Sequence, residues 1–195
     1  MDQELYKRVE TIGGNMAVRR KQIRQMVEAL LARTKVKNGA VPVEAIVRSL
    51  GIEIKLDKVD DELSGFIVRD KQSKRAIIGA NKSHHEHRRR FTIAHELGHF
   101  LLHEGHIVHL DQNIGALRVN LRNSESARGE DNDEKEANLF AAELLMPANF
   151  LREELDGKER DLLGDGNFLD RLAKKYKVSV QALTFRLAYL NYITL

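Results

Sequence analysis

The sequence predicts an α+β fold in which a small antiparallel three-stranded sheet packs with one buried helix and a mainly helical remainder. Three observations predict it: amphipathic helical periodicity over most of the chain, three short β-type runs confined to residues 52–80, and the apolar helix FTIAHELGHFLLH that follows them. With 195 residues, 42% hydrophobic and 31% charged, the composition is that of an ordinary globular domain able to bury a core.

The elements follow in order. Ile23, Met26, Val27, Leu30 and Leu31 recur at i, i+3, i+4, i+7 and i+8, which predicts a core-facing amphipathic helix within 16–37. Pro42 opens a second helix with the stripe Val43, Ile46, Val47 and Leu50, and Gly51 closes it. IEIKL, SGFIVR and RAIIGA are β runs at 52–56, 64–69 and 75–80, joined by segments that suit antiparallel turns. RAIIGA is expected at the sheet edge. The HELGH helix is expected from about 88 to 103, followed by a polar loop or insertion over 105–133. Periodicity resumes in EKEANLFAAELLM and stops at Pro147. Leu169, Leu172, Ala173 and Tyr176, then Leu183, Leu187 and Leu190, mark two last helices, read as core helices although LAKKYKVSVQALTFRL weakly resembles a helix-turn-helix. The expected organisation is a basic amphipathic helix over 1–40, a core over 41–160, and a helical pair over 161–195 packed on that core.

Charge and composition exclude several classes. The chain has no cysteine, so any metal must take His and carboxylate ligands, and a disulfide framework is ruled out. No window approaches the apolar run of a membrane span and the N-terminus lacks a signal-type apolar region, which predicts a cytoplasmic protein without membrane contact. Residues 1–37 carry nine Lys/Arg against four acids, and 124–161 twelve acids against five Lys/Arg. The basic stretch could make weak nucleic-acid contact, but a solvated helix face explains it as well.

HELGH, residues 95–99, carries the chemistry. It matches HExxH, the pattern of a zinc-protease helix, in which His95 and His99 lie one turn apart on one face and Glu96 sits beside the first ligand. This makes the expected fold zincin-like, with the HExxH helix as the active-site helix. Such hydrolases keep three protein ligands and one open position, so a third ligand is owed. His103 is one turn too far, about 5.4 Å along the axis, to close on the same ion, and is expected to support the site from outside. Of Glu134 and Glu136, the wheel puts Glu134 on the face of Ala137, Asn138, Ala141, Leu144 and Leu145. Glu134 is therefore the expected third ligand, Asn138 a supporting partner for a ligand imidazole, and Glu136 a solvated residue. Gly98, Ala137 and Ala141 are expected to let the two helices approach closely. Glu96 is the expected general base. His103, Tyr176, Tyr189 and Tyr192 are unranked candidates for stabilising an oxyanion. His84, His85 and His87, interleaved with Glu86 and Arg88–Arg90, read as a solvated lead-in, and His106 and His109 are discounted as ligands in the same way.

RRRFTIAHELGHFLLH followed by EKEANLFAAELLMP resembles the paired signature of the ImmA/IrrE metallo-endopeptidases. PVEAIVRSLGIEI, LSGFIV and FLDRLAKKYKVSVQALTFRLAYL resemble their flanking segments, over roughly 25–193. The resemblance implies Zn²⁺ held by His95, His99 and Glu134 in a gluzincin-like set, with Glu96 as base. It also implies cleavage of a specific helix-turn-helix transcriptional repressor as a regulatory act. Two other readings compete: a non-cleaving repressor- or DNA-binding regulator on the same fold, and the toxin of a toxin-antitoxin pair.

Overall fold

The computed structural model describes residues 18–34, 36–60, 63–70, 75–103, 108–112, 125–156 and 167–194, with the backbone alone at 108–112 and 125–131. In chain order these residues form α1 (Arg20–Thr34), α2 (Val43–Ser49), β1 (Ile52–Asp57), β2 (Leu63–Asp70), β3 (Arg75–Asn81), α3 (Glu86–Leu102), β4 (Val108–Gln112), α4 (Glu125–Leu145), α5 (Ala148–Leu155), α6 (Phe168–Tyr176) and α7 (Val180–Tyr189). The chain is α+β and mostly helical, as the periodicity predicts.

The sheet differs from the expected antiparallel meander in two respects. Its order is β1-β3-β2-β4, with β1 parallel to β3 and the other two pairings antiparallel. The β1–β2 connection therefore passes across the sheet instead of folding into a hairpin. Buried Asn81 holds that crossing, its Nδ2 donating to the carbonyls of Val59, Asp60 and Leu63 at 3.3, 3.1 and 3.2 Å. Backbone polarity of this kind must be satisfied somewhere, and one amide at the end of β3 does it. The consequence is that RAIIGA is not an edge: β3 is bonded on both sides, and among the described residues β1 and β4 are the outer strands. β4 itself lies in the stretch expected to be loop, and so does the start of α4, which begins nine residues before Glu134. Residues 105–107 and 113–124 of that stretch lie outside the described residues.

α3 is the centre of the molecule. Residues 92–100 are buried without interruption, so this helix has no solvent face along its middle and is covered on two sides. On one side lies β2. A Cβ added at Gly65 would stand 2.2 Å from Thr92 Cγ2 and 2.9 Å from the Gly79 carbonyl, so only glycine allows the strand this close. On the other side lies α4. A Cβ at Gly98 would stand 3.1 Å from Ala137 Cα and 3.2 Å from Phe140, which is the close approach the small residues predict. Ile93, Ala94, Leu97 and Phe100 join Ile67 and Ile78 of the sheet and Phe140, Ala141, Leu144 and Leu145 of α4 in one core. α1 belongs to it through Ile23, Val27, Leu30 and Leu31, and α6 and α7 through Leu172, Tyr176, Leu183 and Leu187.

The polar run that leads into the first turns of α3 is not merely solvated. Arg88 Nη2 donates to Ser64 Oγ at 2.8 Å, Arg89 to the His84 carbonyl at 2.7 Å, and Arg90 to the Val41 carbonyl at 2.8 Å. His85 caps the helix, its Nδ1 accepting the His87 N–H at 3.2 Å. At the other end of the fold, Lys177 takes the left-handed conformation (φ 52°, ψ 50°) that ends α6, the position where a glycine would be at ease. The segment is a pair of core helices, α7 being fastened by buried Arg186, which donates to Glu143 Oε2 at 2.5 Å and to the Met146 carbonyl at 3.0 Å.

Candidate metal centre

A 3.6-residue period puts His95 and His99 on the same face of α3, and packing aims that face at α4. Their Nε2 atoms stand 2.9 Å apart, with both residues buried. Glu134 of α4 reaches between them, Oε1 at 3.1 Å from His99 Nε2 and Oε2 at 3.4 Å from His95 Nε2. One donor atom from each residue thus lies within 4.8 Å of the other two. Two ligands at about 2.05 Å from a tetrahedral Zn²⁺ are about 3.3 Å apart, so the observed separations suit a shared ion. The donor chemistry, two neutral imidazoles and a carboxylate, fits zinc equally well.

Glu96 is fully buried on the neighbouring face of α3, against β2, where a Cβ at Gly65 would come within 3.4 Å of its Oε1. The strand that borders Glu96 is therefore β2, and β4 is its outer neighbour among the described residues.

Burial reverses the sequence argument about the two glutamates, although it is Glu134 that faces the two histidines. The Glu134 side chain is 41% exposed, whereas Glu136, expected to be solvated, is 5% exposed. The reason lies far away in sequence. Arg19, the residue just before α1, lays its guanidinium on Glu136, Nε at 3.1 and 3.0 Å from the two oxygens and Nη2 at 2.6 Å from Oε2, and its backbone N–H donates to Oε1 at 2.8 Å. Burial would raise the Glu136 pKa, but hydrogen bonds from His103 and Arg19 outweigh it and hold the carboxyl at about 2. The same hydrogen bonding raises Arg19 above its ordinary value.

His103 ends α3 in extended conformation (φ −122°, ψ 108°), which turns its ring back beside the site. Its Nδ1 is 3.2 Å from His99 Nδ1, and its Nε2 3.2 Å from Glu136 Oε2 and 3.4 Å from Asp133 Oδ1. His103, expected to support the site from outside, thus contacts the His99 ring; Asn138, the other residue expected to support a ligand imidazole, is half-buried one turn beyond Glu134. His103, Asp133 and Glu136 form a second group of donors within 4.8 Å, but the Arg19 cation already occupies its carboxylate. Of the tyrosines, Tyr176 is buried in the core, where desolvation pushes its hydroxyl well up. Tyr189 and Tyr192 line a cleft between α1 and the chain's C-terminal end, with Arg20, Arg24 and Arg152 and none of the residues of the centre. His106 and the side chain of His109 lie outside the described residues. The Arg19–Glu136 pair escaped sequence reasoning because nothing but the fold joins residues 117 apart.

A buried two-histidine helix faced by a carboxylate from a second helix, on an α+β scaffold, defines a candidate metallopeptidase domain. The chain belongs to the Peptidase M78 family: the IrrE N-terminal-like domain matches residues 47–188. Arg19 and all of α1 precede that match. Among solved structures, the Mycobacterium tuberculosis transcriptional regulator is similar in fold, with a TM-score of 0.55 and 16% identity over 95% of this chain and 49% of its own. This chain thus spans about half the length of that protein. No curated protein sequence matches the chain. Among the described residues no helix is long and apolar enough to cross a membrane.

Proposed function

We propose that the chain is a zinc-dependent endopeptidase that cleaves a helix-turn-helix transcriptional repressor, with His95, His99 and Glu134 as ligands and Glu96 as general base. The observation that carries it is the convergence of those three donors beside a buried glutamate on the next helical position. Family membership supports the peptidase chemistry. The regulatory role rests on the resemblance and on a structural relative that is itself a transcriptional regulator.

Zinc bound there would polarise the scissile carbonyl and make water more acidic. The chain's own part is proton handling and placement. Glu96 accepts a proton from the attacking water and delivers it to the leaving amide nitrogen, a task for which its rigid seat between α3 and β2 fixes the direction. An extended substrate segment adds to the outer side of β4, the outermost described strand next to the one that borders Glu96; RAIIGA, the expected edge, cannot take it because β3 is paired on both sides. A cytoplasmic location goes with this reading, since a repressor works at the chromosome, and the absence of cysteine agrees with it.

The test is incubation of the purified protein with the repressor encoded beside it, with and without a chelator, fragments being mapped by mass spectrometry. Cleavage at one or a few sites is expected, with loss on chelation and in Glu96→Gln, whose metal content stays normal. A Glu96→Gln protein that regulates its target in cells at full strength would favour regulation by docking.

A further inference from the structure

His99 has two ring nitrogens and only one can serve a metal. Its Nε2 faces Glu134 and His95, while its Nδ1 meets the Nδ1 of His103 at 3.2 Å. Between two facing nitrogens of neutral imidazoles, one must carry the hydrogen. We propose that Arg19, Glu136 and His103 form a buried relay that fixes this choice, holding His99 in the Nδ1–H tautomer so that its Nε2 lone pair is always presented to the metal. The inference rests on the zinc reading above and adds to it three positioning residues, one of them outside the family match.

The argument runs inward from Arg19. Its guanidinium and backbone N–H both hold the Glu136 carboxylate, and its Nη2 also donates at 3.0 Å to the carbonyl of Leu102, the residue before His103. A carboxylate so held can only accept. His103 Nε2, at 3.2 Å, must therefore donate to it. A neutral His103 with its hydrogen on Nε2 has a lone pair on Nδ1, which accepts from His99 Nδ1–H, and His99 is left with its lone pair on Nε2. Every donor in the chain meets one acceptor. Without Glu136, the acceptor left facing His103 Nε2 is Asp133 Oδ1, farther off at 3.4 Å, so the tautomer with hydrogen on Nδ1 gains population, and that one turns the His99 lone pair away from the centre. Metal-bound histidines commonly depend on such outer partners, whose loss costs about 10- to 100-fold in affinity. Here the outermost partner comes from a residue that precedes the matched domain by 28 positions, so the segment before that domain takes part in the centre it does not contain.

The experiment uses the full chain loaded with zinc. Two-bond ¹H–¹⁵N correlation spectra read imidazole tautomers directly: hydrogen on Nε2 of His103 and on Nδ1 of His99 is expected. Zinc affinity, from competition with a chelator, should fall about 10- to 100-fold in Arg19→Met and in Glu136→Gln, and in Glu136→Gln the His103 signals should move toward a mixture of tautomers. If either single variant fails to fold because a charge is stranded, the Arg19→Met/Glu136→Gln double variant removes both charges and must show the same loss. Hydrogen on Nδ1 of His103 in the wild type, or unchanged zinc affinity in folded variants, overturns the relay while leaving the zinc reading intact. A folded wild type that takes no zinc overturns both.

Discussion

Glu134 and Glu136 show how a helical phase can be read correctly while the burial inferred from it is not. The helical wheel puts Glu134 with Ala137 and Ala141, both fully buried, and that phase does bring it to the histidines. Burial alone would have chosen Glu136, because a cation from another part of the chain seals it in. Glycines act at the same scale. At Gly65 the Cβ of alanine would collide with Thr92 Cγ2 at 2.2 Å and with the Gly79 backbone at 2.9 Å, and the backbone cannot rotate away. Gly65→Ala is expected to cost about 3 kcal/mol of stability and to disturb Glu96, read by denaturant unfolding and by cleavage rate. A neutral substitution would mean that β2 does not lie this close to α3.

At the scale of elements, α3 and α4 act as one unit, since one carries two of the proposed ligands and the other the third. Gly98 sets their distance. Alanine is the better helix former by about 1 kcal/mol, yet its Cβ would sit 3.1 Å from the Ala137 backbone, and overpacking of this sort costs about 1–3 kcal/mol. Gly98→Ala is therefore expected to lose about 1 kcal/mol net and to weaken zinc binding as Glu134 moves outward. A gain in melting temperature with unchanged metal affinity would show that the helices have slack. Much of this pair is legible in sequence, because small residues at helical spacing leave few other uses. The first turns of α4 are not: ESARGEDND has no apolar stripe, so periodicity is blind to it. β4 is missed for a related reason, being a five-residue strand in a polar stretch whose partner among the described residues is β2.

For the whole molecule, the Arg19–Glu136 contact ties the segment before α1 to the centre of the fold, and its charge makes stability depend on pH. Glu136 falls from 4.5 to about 2 on folding, so below 4.5 the unfolded chain binds a proton that the folded one refuses. Its contribution is complete above about 4.5 and disappears as pH falls through about 2. In metal-free protein, the stability difference between wild type and Glu136→Gln is expected to shrink across that window, measured by urea unfolding at several pH values. A difference that stays constant would remove Glu136 as a source of acid sensitivity. Above the window the pair should make α1 hard to detach, although its residues precede the family match.

The sequence by itself determined the α+β class, the HELGH helix with its two histidines and glutamate on known faces, the phase of Glu134, and the close packing at Gly98. These are local quantities, fixed by a 3.6-residue period, by side-chain chemistry and by the size of a missing Cβ. Tertiary structure alone decided that β1 runs parallel to β3, that β4 is an outer strand among the described residues, that Arg19 seals Glu136, and that the His103 ring lies between His99 and Glu136. Each of these depends on which distant segments share a surface, and no spacing along the chain encodes a contact across 117 residues.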